Sequence, residues 1–91
     1  MGGSETAELG DAARRRRLKF RCWHRGMKEV DLILGRFADA SVDDMGEEGL
    51  AAFEALLDES DPEILAWVTG QEAAPADRDT AFLRRLIAFH R

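Results

Sequence analysis

The sequence predicts an all-α protein, a compact five-helix bundle, and three observations carry that prediction. Apolar residues recur at helical spacing, most cleanly Val30, Ile33, Leu34 and Phe37 at i, i+3, i+4 and i+7. Residues that start and stop helices punctuate the chain at suitable intervals, with Asp61 and Pro62 opening one segment and Gly26 and Gly70 closing others. No stretch alternates apolar and polar residues as a half-buried strand would, and none carries a tight hairpin pair.

Residues 1–10 are poor in apolar side chains and are expected to be a flexible N-terminal tail, leaving 11–91 as a single helical domain. Asp11 is the expected cap of the first helix, which runs to about Trp23 with Leu18, Cys22 and Trp23 inward; Phe20 also reads as a packing residue. Gly26 is the expected left-handed hinge of an αα-hairpin. The second helix, from about Met27 to Ala38, buries the Val30 stripe. At about 100° per residue its Glu29, Leu32 and Arg36 fall on another face, roughly 120° away, which leaves Leu32 among charges. Gly35 weakens this helix and makes room for a close neighbour.

Residues 39–44 form a connection. Gly46 caps a third helix with Glu47 and Glu48 at its positive end and Leu50, Phe53, Leu56 and Leu57 inward. Asp61 then reads as a cap and Pro62 as the first position of a short fourth helix that packs Ile64, Leu65, Trp67 and Val68 and stops at Gly70. Pro75 reopens helical structure, with Asp77 and Asp79 in the first turn and Phe82, Leu83, Leu86, Ile87 and His90 on the inward side.

Composition bounds function. Ninety-one residues make one core and leave no room for separate cofactor and substrate domains, which argues against a multistep enzyme. No apolar run approaches the roughly 18 residues that span a bilayer, and the N-terminus has no signal-peptide layout, so the chain is expected to be soluble and intracellular. A lone cysteine, Cys22, fits a reducing compartment. The net charge of −5 hides a division: residues 12–28 hold eight basic side chains and no acidic one, whereas residues 39–79 hold thirteen acidic side chains against Arg78 alone.

Among chemical constellations, a nucleophile elbow, a phosphate-cradling loop, a dinucleotide fingerprint and a zinc-protease histidine pair are all absent from the sequence. Cys22 and His24 are close in sequence, but positions two apart on a helix point about 200° from each other, which argues against a shared metal or a nucleophile–base pair. The Arg14 to Arg21 helix offers the alternative function, a small basic nucleic-acid-binding module. Against it, a continuous run of arginines spreads around every side of a helix and has no aromatic platform interleaved. Arg25 and Glu29, four apart around Gly26, suit either a surface ion pair or a polar hook for another protein.

The order of these motifs is more specific than any one of them. Arg25, Gly26, Met27, Lys28 and Glu29, followed by Val30 and Asp31, then Phe53 with Leu56 and Leu57, then Asp61, Pro62 and Trp67, then Pro75, Ala76 and Asp77, resemble the SdhE family of FAD assembly factors over about residues 18–90. Arg25, Gly26 and Glu29 fill that family's Arg-Gly-x-x-Glu signature. His24 departs from the second arginine that some bacterial members carry there.

The resemblance implies an SdhE-like five-helix fold and a chaperone-like role: binding the flavoprotein subunit of succinate dehydrogenase or fumarate reductase and promoting covalent attachment of FAD to one of its histidines. It implies no catalytic residues on this chain and no stably bound cofactor, the FAD being attached to the partner. The implied partner-binding residues are Arg25, Gly26 and Glu29, with His24, Asp31, Leu32 and Arg36 around them. Neither a membrane nor a nucleic acid is an expected partner, and the expected state is a monomer with weak dimerisation as the alternative. In physical terms the partner's histidine must reach the flavin in a near-attack geometry while negative charge on the ring is stabilised, and an assembly factor assists by holding the partner in that arrangement.

Overall fold

The computed structural model describes the backbone of residues 2–91 and the side chains of residues 10–91. Five α-helices follow in order: α1 (Gly2–Trp23), α2 (Lys28–Ser41), α3 (Glu47–Leu56), α4 (Asp61–Thr69) and α5 (Ala81–Phe89), with a short 3-10 turn (Val42–Asp44) after α2. No strand occurs among the described residues. The backbone is already helical at Gly2, so Asp11 lies inside α1 and pairs with Arg15 one turn on (2.8 Å) instead of capping a helix start. The tail expected over 1–10 falls, except for Gly10, on residues whose side chains lie outside the described ones.

α1 and α2 run antiparallel, as their contacts show. Trp23 reaches Asp39, Lys19 pairs with Asp43 and Arg15 donates to the carbonyl of Val42, so later residues of one helix meet earlier residues of the other. Gly35 makes this packing possible, because a Cβ there would stand 2.3 Å from two atoms of the Trp23 ring. The core is one cluster in which Leu18 and Cys22 of α1 meet Val30, Leu34 and Phe37 of α2, Leu50 and Phe53 of α3, Ile64 and Trp67 of α4, and Phe82, Leu83 and Leu86 of α5. Its centre is aromatic: the Phe53 and Phe82 rings are 4.9 Å apart, and each lies 5.7 Å from Phe37. Fully burying such a side chain contributes roughly 1.5–3 kcal/mol, so the helical stripes hold the fold together.

Other helix ends also depart from expectation. Ser60, not Asp61, caps α4: its hydroxyl accepts from the amide of Glu63, and Asp61 and Pro62 take the first two helical positions. α5 begins at Ala81 under the cap of Thr80, whose hydroxyl accepts from Leu83 (3.1 Å). Residues 75–80 are all exposed and make one turn around the Pro75 carbonyl; with no apolar face to bury before Phe82, helix there has nothing to pack. Gly26 is not left-handed. Among the described residues only Gly70 has a positive φ (81°), and it ends α4 as expected. At the back of the bundle, His90 donates from Nε2 to the Ile33 carbonyl (2.8 Å) and ties the end of α5 to α2.

Candidate functional site

The joint between α1 and α2 is built by three side chains. After Trp23 the chain leaves the helix, and Met27 enters α2 in an extended conformation (φ −105°, ψ 127°) with no side-chain cap of its own. The exposed amides are met from elsewhere. Asp31, in the first turn of α2, accepts from the backbone amide of Arg25 (2.6 Å). Asp61 accepts from Gly26 (2.9 Å) and Met27 (3.1 Å) through Oδ2. A hinge whose amides are held this way has no need of a left-handed residue.

The Arg25 side chain completes the lock. Nε donates to Asp61 Oδ1 (2.7 Å), and the two terminal nitrogens donate to the carbonyls of Leu57 (2.7 Å) and Glu59 (2.8 Å), which α3 leaves unpaired as it ends. The Arg25 and Asp61 side chains keep only 14% and 13% of their surface in contact with solvent. Burial alone would push the Asp61 carboxyl up, but the Arg25 guanidinium and the amides of Met27 and Gly26 together outweigh it and hold it below the usual aspartate value.

Arg25 therefore faces inward, and the Arg25–Glu29 surface pair is not formed. Glu29 is exposed and has no ion-pair partner among the described residues. Arg36 is likewise exposed, Leu32 is half-buried beside it, and the exposed backbone of Gly26 adjoins His24 in an open depression lined also by Met27, Asp61 and Pro62. Of the seven residues expected to meet a partner, His24, Gly26, Glu29 and Arg36 are exposed and Leu32 is half-buried, while Arg25 and Asp31 hold the joint from within. Sequence reasoning missed Asp61 as part of this lock, having assigned it to the helix cap. The signal was there in Ser60 with Glu63, the spacing of a capping box, which frees Asp61 for another task.

The basic helix is largely spent on the fold. Arg14 pairs with Glu47 and Glu54, Lys19 with Asp43 (2.9 Å), and Arg21 approaches Asp58 (3.9 Å), so the charge division in the sequence becomes a set of contacts from α1 to the acidic segments. This counts against a continuous cationic track for nucleic acid. Cys22 is fully buried, and burial pushes its thiol up to about 12, so it is no nucleophile at neutral pH. Phe20 contradicts its expected packing role: it is 62% exposed and stacks on the exposed His24 ring (3.8 Å, 16°).

Comparison with known proteins agrees with this architecture. The model of the Sdh5 family, described as "Flavinator of succinate dehydrogenase", matches residues 16–90. An FAD assembly factor SdhE of Acetobacter pasteurianus is 44% identical over 84 residues, covering 92% of this chain and 77% of that protein. The SdhE of Legionella pneumophila is 40% identical over 62 residues (68% and 77%). A mitochondrial succinate dehydrogenase assembly factor 2 of Dictyostelium discoideum is 33% identical over 76 residues (84% and 53%). With its signature residues gathered at one locked joint and α2 to α5 wholly inside the match, this chain belongs to the Sdh5 family of succinate dehydrogenase flavinators.

Proposed function

We propose that this chain is an FAD assembly factor, not an enzyme, that binds the flavoprotein subunit of succinate dehydrogenase or its fumarate reductase relative and promotes covalent flavin attachment there. The observation that carries the reading is the locked joint: the family signature is split into an inward half, Arg25, and an outward half, Gly26 and Glu29. The inward half fixes backbone geometry. The outward half then meets the partner without the entropy cost of ordering a loop on binding.

Each outward residue has a chemical task. Gly26, with no side chain, lets the partner's backbone come close; Glu29 accepts charge-assisted hydrogen bonds from the partner; Leu32 supplies apolar contact and Arg36 a donor fork. His24 extends the patch onto α1. The flavin belongs to the partner, since this sequence carries no phosphate-cradling motif, and this chain's part is to hold the partner so that its histidine and the flavin meet in a productive geometry. No described helix is long and apolar enough to cross a membrane. The proposed place of action is the compartment where the flavoprotein matures, the cytoplasm of a bacterium or the mitochondrial matrix if the source is eukaryotic, with one copy of this chain per partner.

Co-expression with the flavoprotein subunit in a host lacking its own factor tests this directly. Covalent flavin fluorescence of the subunit on a denaturing gel should appear with the chain and be absent without it. Equal fluorescence in both, with no co-purification, would overturn the proposal.

A further inference from the structure

One part of the basic run is not used by the fold. At 100° per residue, Arg16, Arg17, Phe20 and His24 share the face of α1 opposite Leu18 and Cys22, and all four are exposed. Arg14, Arg15, Lys19 and Arg21 are paired within the bundle, whereas Arg16 and Arg17 have no ion-pair partner among the described residues; the nearby Glu54 is already held by Arg14. Between them and the joint stands the Phe20–His24 stack. It is fixed by a hydrogen bond in which His24 Nδ1 donates to the Phe20 carbonyl (2.7 Å). An exposed aromatic pair held in one orientation and flanked by two guanidinium groups without an ion-pair partner among the described residues is unusual for a solvated face, and anchors of this composition recur at protein interfaces.

We infer that this face of α1 is a second docking surface for the flavoprotein, one that takes an acidic segment of that subunit carrying an apolar or aromatic side chain. The inference rests on the proposed function. Two observations select this occupant. The face continues through His24 into the open depression that exposes Gly26, so a protein seated on Gly26 extends naturally along it. Among the described residues its free charge is wholly positive, which matches an anionic strip and repels a basic one. Arg16 and Arg17 steer and register the partner, and the Phe20 ring supplies the desolvated contact between them and the joint.

The test compares the full chain with Arg16→Glu/Arg17→Glu and with Phe20→Ala, titrated against the purified flavoprotein subunit at low and at physiological salt. Thermal melts of both variants should match the parent, because these side chains are exposed and make no ion pair with another helix among the described residues. Each variant should bind the subunit roughly tenfold or more weakly, the charge-reversed one with a flatter salt dependence, and a large excess of either should restore the full yield of covalent flavin. Parental affinity in both variants would overturn the inference while leaving the proposed function intact; failure of the parent chain itself to bind would overturn both. Two other outcomes also overturn it: loss in the charge-reversed variant of salt-sensitive binding to a single-stranded oligonucleotide, or loss of self-association, with binding to the flavoprotein unchanged.

Discussion

Replacing Asp61 by Asn removes one charge and keeps the shape, and the joint should register that change strongly. The carboxylate accepts three hydrogen bonds, from Arg25 Nε, Gly26 N and Met27 N. An amide offers one accepting oxygen, so its NH2 must face either the guanidinium or the backbone amides, donor against donor. Arg25 meanwhile stays 86% buried without its counter-ion, with only the Leu57 and Glu59 carbonyls left to it. Breaking a buried pair by removing one partner costs roughly 3–5 kcal/mol, and the residual exposure of both groups brings the expectation to about 3 kcal/mol. For a domain of this size that is a fall in Tm of roughly 12–24 °C. Urea titration followed by circular dichroism measures it, with Glu29→Gln as a control that should stay within about 0.5 kcal/mol because Glu29 pairs with nothing described. A loss below about 1 kcal/mol in Asp61→Asn would refute the claim that this carboxylate holds the joint.

The remaining predictions follow from the same geometry. The ionised forms of Asp61, Glu54 and Asp79 are favoured by the fold, so their contribution is complete above the ordinary carboxylate values of 4.5 for Glu54 and 3.8 for the aspartates and is lost as pH falls through the depressed ones. Urea midpoints should therefore drop below about pH 4, less steeply in Asp61→Asn than in the parent; equal slopes would exclude Asp61 as the main acid-sensitive group. Gly26→Ala should fold normally, since the added Cβ meets only Asp61 Oδ2 at 3.4 Å, whereas Gly26→Arg should keep its melt and lose flavinylation; a collapse of the fold in Gly26→Ala would contradict this. Gly35→Ala should destabilise by roughly 1–3 kcal/mol through collision with Trp23, despite its better helix propensity, and the sign should reverse in a Trp23→Leu background. Cys22 should resist thiol reagents at pH 8 until the protein is unfolded; rapid native labelling would show that α1 does not pack as described.

Much of this architecture was legible from residue order. The Val30 stripe, the Phe53 and Trp67 packing and the Gly70 stop all came from local rules, because burial at helical spacing and a left-handed cap are properties of neighbours in sequence. What stayed hidden depended on partners far along the chain. The spacing of Arg25 and Glu29 suggested that each could serve the other, yet Arg25 is claimed by carbonyls and a carboxylate 32 to 36 positions away. Asp61 looked like a cap since aspartate before proline often is one, and only the fold shows Ser60 in that place. Phe20 was read as buried because aromatic residues usually are, but the far side of α1 has no helix to cover it. The basic run is the opposite case: its charge is conspicuous in sequence and mostly paired in space.

The division of the signature into an inward lock and an outward hook is tested most directly by Glu29→Ala. Covalent flavin in the partner subunit, read as fluorescence on a denaturing gel at matched levels of folded factor, should fall at least about tenfold, the loss expected from removing a charge-assisted contact, while the thermal melt of the factor is unchanged. Full flavin attachment by that folded variant would contradict the account.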